Sequence, residues 1–464
     1  MKHSVLPPAQ SADPLVAAEL LVTSPDLPPA PPVRPRSAVS YGVGAAGLAG
    51  LLTWFFVARQ FGMDGPHSAL MSTVFCGLPM LIWSLVVDKV HLSPTTGIDW
   101  ASHVSSADVR AVSRVKLLGL WVTWAIIAAA YATMRYYWDG SYVFAMNVLK
   151  WAAAPLALLS IPYVLWLDRR LVEPRDGAHA FGEWLLGKDD VSMDLVWKHW
   201  RAWGVKAFYI AFMLSVVPGN FAPLIFKPWA EIFGNPVQFA WFFIGFLYMV
   251  DVHFATVGYV LTMRPLDAHI RTANPYGMAW IAALICYPPF VLMNDGAPLN
   301  YLVNTAEWNV WMDSAGLPTW AFWIWGGLLV ALTTFYAAAT MAFGLRFSNL
   351  THRGIVTHGP FAITRHPAYL SKNIFWWLSS LVFLPWDGSF TNALRNTIIM
   401  ALVSGVYYWR AKTEEKHLLA DPAYQDYWNW AQQHALIPRL FSRFTGSIKP
   451  LILLKPDDRV GPVT

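Results

Sequence analysis

The chain has 464 residues, of which 56% are hydrophobic and only 13% charged, with 33 Lys and Arg against 28 Asp and Glu. A soluble domain carries about 25% charged residues, so this composition excludes a water-dissolved enzyme and describes a protein dissolved in lipid. The net charge of +5 is small for the length, and its placement follows membrane topology, which removes nucleic acid as a partner.

In chain order, residues 1–37 are rich in proline and lack the compact apolar core of a cleavable signal peptide, which predicts a disordered tail. Apolar runs of about 20 residues follow, each long enough to cross about 30 Å of hydrocarbon as a helix. They fall at 38–59, 69–88, 117–136, 147–167, 206–226, 238–262, 277–293, 320–345, 370–386 and 393–409. The predicted fold class is therefore all-α: a polytopic transmembrane helical bundle with about ten spans. Between the fourth and fifth runs, 168–206 is too polar to span, and its mixture of Trp, Leu and basic residues predicts a helix lying on the membrane surface.

The stretch "FLYMVDVHFATVGYV", 246–260, puts Asp251 and His253 near the middle of the sixth span. Two residues apart on a helix, they point to nearly opposite sides. Each is expected either to be satisfied by a neighbouring helix or to floor a polar cavity. The loop 264–277 carries Arg264, Asp267, His269 and Arg271 and reads as a solvated or headgroup-facing connection, or as a lid. Cys76 and Cys286 both fall inside spans, so a disulfide framework and a thiolate metal site are unsupported, and no metal is expected. Residues 410–440 read as a helix leaving the bilayer, a turn at Asp421-Pro422, and a short amphipathic helix capped by Asp421 with Pro422 in its first turn. A tail, 441–464, closes the chain.

Basic residues orient the bundle. With both termini in the cytoplasm and ten alternating spans, the cytoplasmic segments hold 28 of the 33 Lys and Arg, whereas the long connection 294–318 on the other side has none. That asymmetry is the positive-inside pattern. It describes an integral protein of the bacterial inner (cytoplasmic) membrane type.

Two clusters stand out against this apolar background. "HGPFAITRHPAYLSKN", 358–373, combines a Gly-Pro turn with Arg365, His366 and Tyr369, and Pro367 is tolerated in the first turn of the helix that follows. Glu414 and Glu415 are adjacent like charges at a membrane exit, costly unless they meet cations or a polar cavity. The last two spans form a hairpin, which brings both clusters to one cytoplasmic end. From the residues alone, the first cluster is either an anchoring helix end or part of a pocket.

The ordered set Gly359-Pro360-Phe361, Arg365-His366-Pro367-Ala368-Tyr369-Leu370, a hydrophobic hairpin, Glu414-Glu415-Lys416-His417-Leu418, then Tyr424 and Tyr427, resembles the isoprenylcysteine carboxyl methyltransferase and phospholipid methyltransferase superfamily. The resemblance covers about 350–440, within a methyltransferase-like core placed at 346–440 after a bundle of about eight helices, 38–345. It implies an S-adenosylmethionine-dependent methyltransferase whose cofactor enters from the cytosol and is contacted by Pro360, Arg365, His366, Tyr369, Glu414 and Glu415. It implies a lipophilic acceptor, an isoprenylcysteine-type carboxylate or a lipid headgroup, arriving from the membrane lipids. The residue types suit the cofactor: a guanidinium fork for its carboxylate, glutamates for its ammonium, aromatic faces for its sulfonium. The sequence departs from the family pattern at Phe361, where a Tyr is common, and at Ser371-Lys372, where Gly often follows Tyr-Leu.

Two other readings stay open. NADPH-dependent membrane sterol-type reductases carry a similar Arg-His-Pro-x-Tyr-Leu element, continued by Gly-Asp in place of Ser371-Lys372. A transporter or non-catalytic membrane scaffold would spread polar residues through several spans and break helices in matching halves; here polarity gathers at one corner. The sequence names neither the acceptor nor an oligomeric state.

Overall fold

A computed structural model describes residues 33–101, 104–437 and 439. The predicted tails 1–37 and 441–464 fall outside these residues, apart from 33–37. The architecture is all-α. In chain order the helices are α1 (Tyr41–Phe61), α2 (Pro66–Val86), α3 (Ser106–Thr133), α4 (Tyr142–Asp168), α5 (Gly177–Leu185), α6 (Met193–Ile225), α7 (Trp229–Gly234) and α8 (Pro236–Val260). They continue as α9 (Gly277–Leu284), α10 (Trp308–Ser314), α11 (Thr319–Phe343), α12 (Pro367–Ser380), α13 (Phe390–Leu418) and α14 (Pro422–His434). One two-residue pair, β1 (Thr272–Ala273) with β2 (Thr351–His352), is antiparallel.

Seven helices among the described residues are long and apolar enough to cross a membrane: α1, α2, α3, α4, α6, α8, and α11 with the 3-10 turn that follows it. The chain is thus an integral membrane protein. α8 lies at the centre, with more than half of its apolar window buried, whereas α4 turns Trp151, Leu156, Leu158 and Leu159 outward. Between helices in lipid no hydrophobic force distinguishes helix from solvent, so close packing of small residues does the work. At Gly50 of α1 a Cβ would lie 1.9 Å from the Phe75 carbonyl oxygen of α2; at Gly182 of α5 it would lie 2.1 Å from the Val115 oxygen of α3.

Three predicted spans take another form. The run 277–293 is helical only over α9, after which the chain is irregular to α10. Its start sits by the C-terminal end of α13, where Asn274 Nδ2 donates to the Thr413 carbonyl (3.2 Å). By residue 304 it has reached the other end, where the Trp386 N–H donates to the Asn304 carbonyl (2.7 Å). The irregular stretch therefore runs along α13, which supplies partners: Asn396 Nδ2 donates to the Val303 carbonyl (2.7 Å) and Arg395 to that of Asn300 (3.1 Å). Non-helical backbone is tolerated at such depth only where protein satisfies it. The run 370–386 becomes α12, 14 residues and about 21 Å long, too short to cross alone. The run 393–409 lies inside α13, whose 29 residues suffice in length but include Arg395, Asn396 and Arg410.

The surface segment 168–206 also differs from its prediction. Only α5 and its flanking turns stand apart; from Met193 onward the chain is already the first turns of α6. α5 is fastened to the bundle by Lys116 of α3, whose ammonium meets Asp168 (2.6 Å) and Asp176 (3.1 Å). The Asp421 cap is as expected: its side chain accepts from the Ala423 N–H (2.8 Å), with Pro422 opening α14.

Asp251 and His253 point apart. Asp251 accepts from Tyr336 (2.8 Å) and Thr340 (2.5 Å) of α11, while His253 bonds Ser72 of α2 and the Met249 carbonyl (2.7 Å). The loop 264–277 is not a solvated connection. Asp267 is buried and accepts from Arg346 (2.7 Å) and Thr95 (2.6 Å), and β1 pairs with β2.

One guanidinium holds the loops at this end together. Arg353, 2% exposed, donates to the carbonyls of Ala268, Gly258, Phe347, Leu261 and Leu345, at 2.7–3.2 Å where Nε meets Ala268 and the Nη atoms meet the other four. Those carbonyls come from the end of α8, the connection after it and the connection after α11, so no ammonium could serve them all. Arg353→Met is expected to cost about 3 kcal/mol or more, read as a melting temperature lowered by several degrees in detergent. Arg353→Lys should recover only part, and an unchanged melting point would rule the staple out.

Candidate functional site

The sequence 358–373 builds a turn and then a helix. Gly359 has φ +58°, a left-handed conformation in which a Cβ is strained, and it opens a 3-10 turn, Gly359–Ala362. Pro360 is buried in that turn and its carbonyl accepts from Ile363 (3.0 Å) and Thr364 (3.2 Å). His366 then precedes α12, with Pro367 in the first turn. α14 covers this turn: the Tyr427 hydroxyl donates to the Phe361 carbonyl (2.8 Å), and the Arg365 guanidinium lies 5.0 Å from the Trp428 ring. The N-terminal segment clasps it from the other side, where Thr357 donates to the Pro35 carbonyl (2.9 Å) and Ser37 bonds His358 (3.0 Å).

The two predicted clusters meet. Glu415 Oε1 lies 3.0 Å from Arg365 Nε and 3.0 Å from His366 Nε2, and its Oε2 lies 2.7 Å from Lys412 Nζ. The Tyr369 hydroxyl donates to Glu414 Oε1 (2.5 Å), and the His366 and Tyr369 rings stack with centroids 5.9 Å apart. Adjacent glutamates thus do different work. Glu415 is 5% exposed with both oxygens engaged, so it braces the turn. Glu414 borders a hollow.

That hollow, about 170 Å³, lies between α11, α12, α13 and the connection 346–368. Of the six residues singled out from the sequence, Arg365, His366, Tyr369 and Glu414 line it, whereas Pro360 and Glu415 stand behind it. Sequence reasoning missed Arg410 and Asn349, which also line it, and gave Lys372 no role. Arg410 was legible in principle: it stands four residues before Glu414 on one helix, so the two share a face. Asn349 was not, because it reaches the site through Tyr259 (2.9 Å) and Arg410 (3.2 Å), distant in sequence.

Electrostatics follow from burial. Burial pushes the Glu415 carboxyl up, but the His366 hydrogen bond and charge, Arg365 and Lys412 outweigh it and hold it at about 2. His417, buried beside the hollow and bonded to Thr272 (2.9 Å), is pushed down to about 4, first by burial and then by the charges of His352 and Arg201. It is neutral at physiological pH. Arg365 Nη1 is buried without a hydrogen-bond partner. A guanidinium half used by Glu415 and half unpaired is suited to receive an oxyanion. Tyr287, Tyr369 and Tyr407 also line the hollow, with the Arg410 guanidinium over their rings.

Compared with known protein families, curated proteins and solved structures, the chain matches none.

Because the folded Glu415 titrates below its unfolded value of about 4.3, its contribution is complete above that pH and disappears as pH falls through about 2. The displacement corresponds to about 3 kcal/mol at neutral pH. Melting temperature should therefore fall between pH 4.5 and pH 3 in the wild type, and Glu415→Gln should flatten that slope. Parallel slopes in the two proteins would contradict the bracing role.

Proposed function

We propose that the protein is a membrane methyltransferase that holds S-adenosylmethionine in this hollow and methylates a lipophilic acceptor. One observation carries the reading: the Arg365-His366-Tyr369 turn and the Glu414-Glu415 pair, 45–50 residues apart, close on each other around a polar, aromatic-lined hollow. The residues fit such a donor. The unpartnered Nη1 of Arg365 suits its carboxylate and Glu414 suits its ammonium.

The bound group supplies a methyl carbon already activated for displacement. The protein's part is therefore to position and to exclude water. Glu415 fixes Arg365 and His366, Tyr369 fixes Glu414, and α14 closes the turn from above. An acceptor carboxylate needs no base at neutral pH; an amine acceptor would pass its proton to His366 or Glu414. The acceptor class is an isoprenylcysteine-type carboxylate or a lipid headgroup. The positive-inside pattern sets the mouth toward the cytosol, since the basic segments 88–116, 168–206, 263–276 and 346–372 carry the same excess of Lys and Arg as the site's own end of the chain.

S-adenosylhomocysteine should raise the melting temperature of the purified protein by linkage to the native state, and NADPH should not. Glu414→Gln should weaken that binding about tenfold or more with the melting point of the free protein little changed, because Glu414 makes one hydrogen bond at a cavity wall. Glu415→Ala should lose both binding and stability. A rise with NADPH alone would favour the sterol-type reductase reading.

A further inference from the structure

Two cations in the hollow have no carboxylate partner. Lys372 of α12 holds its ammonium over the rings of Trp376 (5.2 Å), Tyr336 (5.5 Å) and Tyr407 (5.9 Å). Arg410 of α13, 4% exposed, lies over Tyr369 (5.1 Å), Tyr407 (5.3 Å) and Tyr287 (5.5 Å), and its Nη2 donates to Asn349 Oδ1 (3.2 Å). Among the described residues neither forms an ion pair. Of the other cations lining the hollow, Arg346 is paired with Asp267 and Arg353 with five carbonyls, while Arg365 is paired with Glu415 through Nε and keeps Nη1 for the mouth. The carboxylates nearby accept from neutral hydroxyls, Glu414 from Tyr369 and Asp251 from Tyr336 and Thr340; Asp251 is felt by Lys372 through space, but neither carboxylate makes an ion pair with Lys372 or Arg410.

Ring faces attract a cation but accept few of its N–H bonds. A buried guanidinium bonded only to neutral groups, sharing the Tyr407 ring with a second cation that makes no ion pair, is an electrostatic deficit that an anion would fill. Position separates this pair from the mouth. Arg410 is one helical turn, about 6 Å, before Glu414 on α13, and Lys372 is about 5 Å beyond Tyr369 on α12. Both displacements run into the bundle, toward Tyr336 of α11.

We propose that Lys372 and Arg410 form an oxyanion subsite, one turn deeper than the mouth, that seats the anionic head of the acceptor, an amphiphile bearing a carboxylate or a phosphate. The inference rests on the methyltransferase reading only in calling that occupant the acceptor. Two anions then have two seats: Arg365 for the donor's carboxylate, the Lys372–Arg410 pair for the acceptor's head.

The test uses the full-length protein in a nonionic detergent, with dodecanoate, dodecyl phosphate, dodecanol and dodecyltrimethylammonium as probes. Acetate and inorganic phosphate serve as chain-free anions, and S-adenosylhomocysteine probes the mouth. Dodecanoate or dodecyl phosphate should bind and raise the melting temperature, with whichever binds tighter naming the oxyanion. Lys372→Met should weaken that binding at least tenfold while S-adenosylhomocysteine affinity stays within twofold; Arg410→Gln should do the same if it folds, and Lys372→Met decides if it does not. Equal binding of dodecanol or the quaternary amine, equal binding of the chain-free anions, or indifference to Lys372→Met would each overturn the subsite. So would loss of S-adenosylhomocysteine binding in Lys372→Met, since the pair would then be the donor's own seat. If the wild type binds the anionic amphiphile through Lys372 but ignores S-adenosylhomocysteine, the donor reading fails and the subsite stands.

Discussion

The carboxylate of Glu415 is the joint on which the site depends. It takes Arg365 and His366 on one oxygen and Lys412 on the other, and so ties the turn before α12 to the last turns of α13. An ion cluster this buried is expensive to desolvate, and its worth lies in what it specifies more than in net stability. Without it, Arg365 and His366 would be held only by the Trp428 and Tyr369 rings, and the wall they form with Tyr369 and Glu414 would loosen. α14 adds a second restraint by bonding the backbone of the same turn through Tyr427.

Behind the joint, the hollow is organised by which charges are already satisfied. Arg353 spends its donors on carbonyls and Arg346 on Asp267, so these two build the floor of the connection 344–356. Glu414 is held by a single tyrosine, Arg365 keeps one nitrogen unpaired, and Arg410 and Lys372 face aromatic rings. In a low-dielectric interior such incomplete pairing is costly, which separates groups that hold the fold from groups available to a ligand. The same logic disposes of Asp251 and His253. Their partners on α11 and α2 are in place, and they pack helices together.

Much of this was legible along the chain. Apolar runs of membrane length located the seven long helices to within a few residues, except that α3 and α6 start more than ten residues earlier, as polar helix outside the apolar run. Asp421-Pro422 marked the start of α14 because capping and proline geometry are local. The two charged clusters were recognisable for the same reason: polar groups beside hydrocarbon need partners, and the hairpin between them limits where those partners can be. Where tertiary partners substitute for a helix's own hydrogen bonds, the pattern failed. The run 277–293 is apolar enough for a helix, yet its later half is irregular, and the irregular chain that continues it leans on the side chains of α13 at Asn300 and Val303.

What the amino-acid sequence determined by itself is the solvent, the helical class and the identity of the polar residues that must find partners, since hydropathy and capping act over one or two turns. Only the tertiary structure decided that Glu415 braces while Glu414 borders the hollow, and that Arg410 and Lys372 stand unpaired one turn deeper. Neighbouring glutamates are equivalent in composition and differ only in which way a helix of 3.6 residues per turn rotates them. Pairs within one helix, such as Lys412 and Glu415 three residues apart, are legible as spacing, but pairing between helices depends on a distance that no spacing along the chain reports.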